Sequence, residues 1–463
     1  MSSRFVSIDR NQPLLLPPDL RDWIPEDDLV HFVIAAVEGM SLSVFKVNAR
    51  GTGSAQYPPH MMLSLLIYCY ANGIFSSRRI ERATHRDIAV RYLTGDTHPD
   101  HDTICTFRRE NFDAVAACFV HVLELARELK LLTVGTVSVD GTKMRANANK
   151  TRSIRYDRAG ELIEQLELEV RELMEQAEQT DQSEQADGQS LPDELARREA
   201  LNAKLEAARK RLEDRAQKKA DSEQAEYERK VKAREARNGK GSPIKKPDPT
   251  PKPSDQDNLT DPDSRLMCKN KSSGFDQDYN AQAAVAADGS QLLLSAHVTQ
   301  CSSDRNELVA AIKGIPDSVG QPETVLADNG YLNEAQVRAL EGDGEEPKMN
   351  VLVSVHAEAK QLRRKHDFRP KPGAEKPPPK ISSEFVLEMK EKMEQDASRE
   401  KYRLRKQSVE PVFGTIKKWL GFTQFSLRGH ENVDGEWKLV TLAFNLKRMC
   451  KMLNTQNQAP SPA

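Results

Sequence analysis

At 463 residues, 38% hydrophobic and 30% charged, the chain is polar and long enough for two or three folding units with at least one sizeable core. Its formal net charge of −2 means that affinity for a polyanion has to come from local basic patches rather than from the field of the whole molecule. The longest apolar run, Met61–Tyr70, is too short to span a bilayer and no charged-then-apolar leader opens the chain, so a cytoplasmic location is expected. Six scattered cysteines with no C-x-x-C pair predict reduced thiols, not a zinc site or a disulfide frame.

Residues 1–25, with Pro13, Pro17, Pro18 and Pro25, predict an extended lead-in. Apolar residues at helical spacing predict a helix over Asp27–Met40, and a second is expected from Pro58–Pro59 to Gly73. Ser76–Ser77 offers an N-cap for Arg78–His85, a short helix is expected around Asp87–Leu93, and His101–Thr106 leads into a long helix over Arg108–Leu131. Residues 1–130 thus predict an all-helical N-terminal domain. Arg78, Arg79, Arg82, Arg86, Arg108 and Arg109 suit a DNA-end-recognition surface of helix-turn-helix type, and equally a solvated helix face.

Val137–Lys150 is the stretch around which the chemistry is expected. Thr133–Val139 predicts a short buried strand that Asp140 and Gly141 end abruptly, leaving a carboxylate at its tip beside Lys143 and Arg145. Residues 131–160 form the first part of the predicted α/β core. Glu161–Lys240 follows, with apolar steps of three and four at Leu162, Leu166, Val170 and Leu173 and again at Leu201, Leu205, Ala208 and Leu212. It predicts an antiparallel helical hairpin or coiled coil, an oligomerising or spacing arm, and Gly239–Asp255 reads as a flexible linker; together they fill residues 161–260.

Residues 261–450 complete the core. Strands are expected over Asn280–Ala287 and Gln291–Thr299 as a hairpin, Thr324–Ala327, and Asn350–Val355. Asp304 is expected to cap a helix over Arg305–Ile312, and Glu384–Trp419 reads as helix with Pro411 inside. Val355–Leu420 carries 17 Lys and Arg against 10 Asp and Glu, a local basic patch suited to phosphates, whose binding would be strongly salt-dependent. Trp419 and Phe422 suit the core, with stacking on an unpaired base as the alternative. Residues 451–463 read as a disordered tail.

Asp140 and Asp328 each close a predicted strand with a glycine within two residues, and such strand ends gather ligands in open α/β sheets. Glu410, at the edge of the buried face formed by Val409, Val412, Phe413 and Ile416, is the third acid able to join them. Three hard-oxygen donors suit two divalent cations, Mg²⁺ or Mn²⁺, and paired metals promote in-line phosphodiester displacement. Singly, each Asp is equally well a turn residue. His98 and His101 lack partner ligands and read as a polar loop, and the absence of a Gly-rich phosphate loop or a Ser or Cys nucleophile motif disfavours ATP dependence and covalent DNA intermediates.

The ordered blocks V-S-V-D-G-T-K-M-R-A-N, G-F-D-Q-D-Y-N-A-Q, V-L-A-D-N-G-Y, Y-R-L-R-K-Q-S-V-E-P-V-F-G-T-I-K-K-W-L-G-F and L-R-G-H-E-N-V-D-G-E-W-K-L-V-T-L-A-F-N-L-K-R resemble a bacterial insertion-sequence transposase with an Asp-Asp-Glu active site, over roughly residues 10–450. The resemblance implies a ribonuclease H-like mixed-sheet core that cuts the element's ends and joins them to target DNA, with Asp140, Asp328 and Glu410 as the catalytic, metal-binding triad. Lys143, Arg145, Tyr402, Arg405, Lys406 and Lys417 are the expected DNA contacts. Double-stranded DNA is the implied partner and a homodimer on DNA, associated with the nucleoid, the expected assembly. A hydrolytic nuclease on the same core and a non-catalytic transposase-derived DNA-binding protein are the alternatives. Lys417 fits the Tyr-Arg-Glu-Lys signature of many relatives, but Tyr402 and Arg405 sit one residue early and Lys406 holds the strict Arg position. One residue turns a helix by about 100°, so the sequence leaves open which cation faces the acids.

Overall fold

Apolar runs punctuated by Pro, Gly and Asp set the element boundaries in the computed structural model, which describes residues 19–47, 55–181, 191–236, 244–268, 274–342, 348–355 and 383–458. A short 3-10 turn at Leu20–Trp23 precedes six helices: α1 (Leu29–Glu38), α2 (Pro59–Ala71), α3 (Ser77–Arg86), α4 (Ile88–Leu93), α5 (His101–Glu110) and α6 (Phe112–Glu128). The helix expected over Arg108–Leu131 is broken at Asn111. The Asn111 side chain donates to Phe107 O and accepts from Lys46 N, so it ends α5 while tying down the incoming chain.

Strand β1 (Thr136–Arg145) is the centre of a six-stranded mixed sheet. After it come β2 (Ser153–Arg155) and two long helices, α7 (Tyr156–Asp181) and α8 (Leu191–Ala236), then β3 (Gln256–Asn258), which pairs with β2. As expected, α7 and α8 pack on each other, around Ile163, Leu166 and Leu205. Arg211 and Arg215 of α8 both bind the fully buried Asp257 of β3 while remaining partly exposed themselves, which ties the arm to β3. The linker segment at residues 237–243 lies outside the described residues; by Pro253 and Asp255 the backbone is again bonded, to Asp157 N and Tyr156 N.

The sheet is completed by β4 (Arg265–Cys268), β5 (Phe275–Ala286), β6 (Leu293–Thr299), β7 (Thr324–Ala327) and β8 (Asn350–Val353). β5 runs antiparallel to β1, β4 and β6, while β7 is parallel to both β1 and β8. Helix α9 (Leu308–Lys313) follows β6 and α10 (Glu334–Glu341) follows β7. α11 (Glu384–Glu394), α12 (Asp396–Gly414), a π-helical turn at Thr415–Trp419 and α13 (His430–Gln458) end the chain. Segment 356–382, the densest part of the expected basic patch, lies outside the described residues.

Edge strands leave backbone groups unpaired, and α13 supplies partners for those of β6. Asn445 bonds both Leu293 N and Leu293 O, Asp434 accepts from Val298 N, and His430 bonds Val298 O. The N-terminal helices lock onto the same helix through a buried chain: Arg108 Nη1 donates to Tyr70 OH at 2.7 Å, and Tyr70 OH donates to Glu436 Oε1 at 3.2 Å. Arg108 is therefore a core residue, not part of a DNA surface, whereas Arg78, Arg79, Arg82, Arg86 and Arg109 are exposed.

Candidate active site at the parallel ladder's end

β1 does not stop at Asp140, contrary to the sequence expectation. It continues to Arg145 because β5 pairs with it throughout; what ends is its parallel ladder with β7, whose last pair is Ser138 with Leu326. Asp140 lies two residues past that pair and Asp328 directly after β7, so both carboxylates emerge where the two parallel strands part.

Helix α12 brings the third acid. Its docking is set by two hydrogen bonds, Ser408 Oγ to Ser138 Oγ at 2.7 Å and Tyr402 OH to Ala327 O at 3.1 Å, which clamp it over β1 and the end of β7. Those contacts turn Arg405 inward with Ser408, Val409 and Val412, while Lys406 and Glu410 fall on the exposed side. The guanidinium reaches all three acids: Nη1 is 3.5 Å from Asp140 Oδ2 and 4.0 Å from Glu410 Oε1, and Nη2 is 4.0 Å from Asp328 Oδ2. Nε donates to Tyr402 OH at 3.4 Å.

Burial pushes the Asp140 carboxyl up to about 7, against the pull of Arg405 and with the added repulsion of Asp328. Arg405 Nη1 is buried without a hydrogen-bond partner, because the acids stand around it at ion-pair rather than hydrogen-bond range. Among the described residues no three acidic, His or Cys side chains lie close enough together to hold a metal as they stand. The donor chemistry nevertheless fits a divalent cation: three carboxylates, all hard oxygen ligands, already surround one positive charge.

The expected DNA contacts divide into two groups. Arg405 and Tyr402 are at the acids. Lys417 is carried by the π-helical turn to β1, where its Nζ bonds Thr142 Oγ1 and Lys143 O. Lys143 Nζ donates instead to Cys268 O at 2.7 Å, and Arg145, at the far end of β1, pairs with Asp276 at 3.7 Å. Arg145 also lines a polar cavity of about 510 Å³ together with Lys150, Arg152 and Arg428. Phe422 is buried, as expected of a core residue, but Trp419 is 86% exposed. His98 stacks on His85 and bonds Thr84, and His101 bonds Glu81.

Asp304 went unrecognised in the sequence, where it reads as a helix cap. The helix starts three residues later than expected, at Leu308, and the Asp304 side chain turns to β5, accepting from Asn280 Nδ2 and Gln282 Nε2 at 2.7 Å each. The one available signal is Asn280 and Gln282 themselves, two amides at i and i+2 on one face of a strand that is otherwise apolar there.

Comparison with known families places this geometry in context. Residues 18–110 match the family described as Transposase domain (DUF772), and residues 377–450 match the family described as Transposase DDE domain. The two matches support a DNA transposase of an insertion sequence, with DNA as the partner that such proteins imply. No curated protein and no solved structure matches the chain. No helix among the described residues is long and apolar enough to cross a membrane.

Proposed function

We propose that this protein is a DDE-type transposase that cuts the ends of an insertion sequence and joins the freed 3′-hydroxyls to target DNA. The observation that carries this reading is the convergence of Asp140, Asp328 and Glu410 on one buried guanidinium, in a chain whose two family matches are both transposase domains. A ribonuclease H-like core is supported by the strand order, with β6, β5 and β1 antiparallel in turn and β7 and β8 parallel to β1.

Asp140, Asp328 and Glu410 would hold two Mg²⁺ or Mn²⁺ ions. Bound there, the ions supply Lewis-acid stabilisation for in-line phosphodiester displacement. Arg405, held by Tyr402, balances the acids until DNA arrives and then offers its charge to the phosphate being attacked. Lys406 on α12 and Lys417 on the π-helical turn extend that contact. Lys143 braces β4, and Arg145 holds the backbone farther along the strand. The exposed Trp419 gives an unpaired base a ring on which to stack. The helices of residues 1–130 would recognise the element end, residues 131–160 and 261–450 would form the catalytic core, and the α7–α8 arm would space or pair two protomers on DNA.

The test is incubation of the chain with its own element-end DNA and Mg²⁺, resolving nicked, hairpin and joined products. Joining of a precleaved 3′-hydroxyl end is the expected result and separates a transposase from a hydrolytic nuclease. Asp140→Asn should abolish cleavage while end binding persists; cleavage by that variant would refute the triad.

A further inference from the structure

We propose that Asp304 is a fourth carboxylate of the cation-holding cluster, an inference that rests on the triad reading above. The geometry at two glycines points to it. A Cβ on Gly141, the residue after Asp140, would lie 2.6 Å from Asp304 Oδ1 and 2.2 Å from Gln282 Nε2. A Cβ on Gly330, two residues after Asp328, would lie 3.5 Å from Asp304 Oδ2 and 2.9 Å from Asp328 Oδ1. Asp304 thus lies against the backbone at both strand ends, its Oδ1 filling the space that Gly141 leaves open and its Oδ2 in contact range of the Gly330 position, close to Asp328 Oδ1.

Its two oxygens are treated differently. Oδ1 accepts from Asn280 and Gln282, whose side chains are buried, and Gln282 Oε1 is in turn held by the hydroxyl of the buried Tyr331. Oδ2 takes no hydrogen bond among the described residues, and no Lys, Arg or His among them lies within ion-pair distance of Asp304. A carboxylate fixed through one oxygen and left open at the other is arranged as a ligand oriented by its surroundings. Arg405, which is 7% exposed, pairs with Asp140, Asp328 and Glu410 but not with Asp304, and its Nη1 stands among those three without a hydrogen-bond partner. A divalent cation held by the strand-end aspartates would find in Asp304 a further hard-oxygen donor.

The experiment titrates the full chain with Mn²⁺ alone, without DNA, and follows free Mn²⁺ by electron paramagnetic resonance. Asp304→Asn, which keeps the shape of the side chain, should weaken Mn²⁺ binding by about tenfold or more while the metal-free melting temperature stays close to that of the wild type. Equal Mn²⁺ affinity in the variant overturns the proposal and leaves Asp304 a bracket for β5. The wild-type chain provides a second measurement that does not depend on any variant folding: Fe²⁺ with ascorbate and peroxide should cut the backbone at residues 302–306 as well as beside Asp140 and Asp328. Cuts beside those two without any at 302–306 would equally overturn it. If the wild type binds no Mn²⁺ and shows no such cuts, the metal-holding triad fails and this inference fails with it.

Discussion

Arg405 and Asp140 are 3.5 Å apart, Nη1 to Oδ2, and this contact joins α12 to β1. If the three acids hold a cation as proposed, the guanidinium and that cation compete for the same carboxylates. Removing the guanidinium takes away the cation that faces Asp140, the most enclosed of the three acids, at 3.5 Å, which should lower stability. Arg405→Ala should therefore melt well below the wild type in metal-free buffer and regain more of that loss on adding Mn²⁺ than the wild type gains. Thermal melts with and without Mn²⁺ check this; an equal metal-induced shift in both proteins would show that Arg405 and the cation do not share a place.

Gly141 has no room for a side chain, since the nearest atoms to an added Cβ are a buried amide and the Asp304 carboxylate. Gly141→Ala is expected to lower stability by about 1–3 kcal/mol, the usual cost of overpacking. The denaturant midpoint of the variant measures it.

Lys417 is oriented by the π-helical turn, in which Leu420 N donates to Thr415 O. Lys417→Met keeps the length of the side chain and removes donation to Thr142 and Lys143, so it should cost about 1 kcal/mol in stability. Strand cleavage should fall by more than DNA affinity, because the turn holds α12 against β1 beside the acids. Urea unfolding and single-turnover cleavage together test the pair of expectations.

Glu436 is fully buried, and burial raises its carboxyl above the ordinary value against the opposing pull of Arg108. A raised folded-state value means that the native protein holds this proton more tightly than the unfolded chain. The contribution of Glu436 is therefore fully present below the ordinary value of 4.5 and is lost as pH rises through the raised one. Glu436→Gln should flatten that part of the stability profile, and unfolding midpoints across a pH series would reveal it.

Trp419 lies outside the core, so Trp419→Ala should leave the melting temperature near that of the wild type. Stacking on a base is worth about 1–3 kcal/mol, which predicts a loss of roughly tenfold or more in affinity for DNA with an unpaired end. Fluorescence anisotropy with frayed and fully paired duplexes separates this from loss of backbone contacts.

Local pattern alone determined much of this protein. Thr324–Ala327 forms the strand that its run of apolar residues predicts, the turn at Asp288–Gly289 joins β5 to β6, and the three-and-four spacing of Leu162 and Leu166 and of Leu205 and Ala208 yields the packed helical arm. Such features depend on neighbours a few residues away, and the chain displays them directly. Tertiary structure decided the rest. β1 runs on past Asp140 because β5, more than a hundred residues later, supplies its hydrogen bonds. Arg405 rather than the adjacent Lys406 meets the acids because Ser408 and Tyr402 set the rotation of α12 against Ser138 and Ala327. Asp304 turns to β5 instead of capping a helix because Asn280 and Gln282 bond it there, and Arg108 is buried because Tyr70 and Glu436 receive it. In each case the deciding atom belongs to a residue distant in sequence, and only the folded chain brings it within reach.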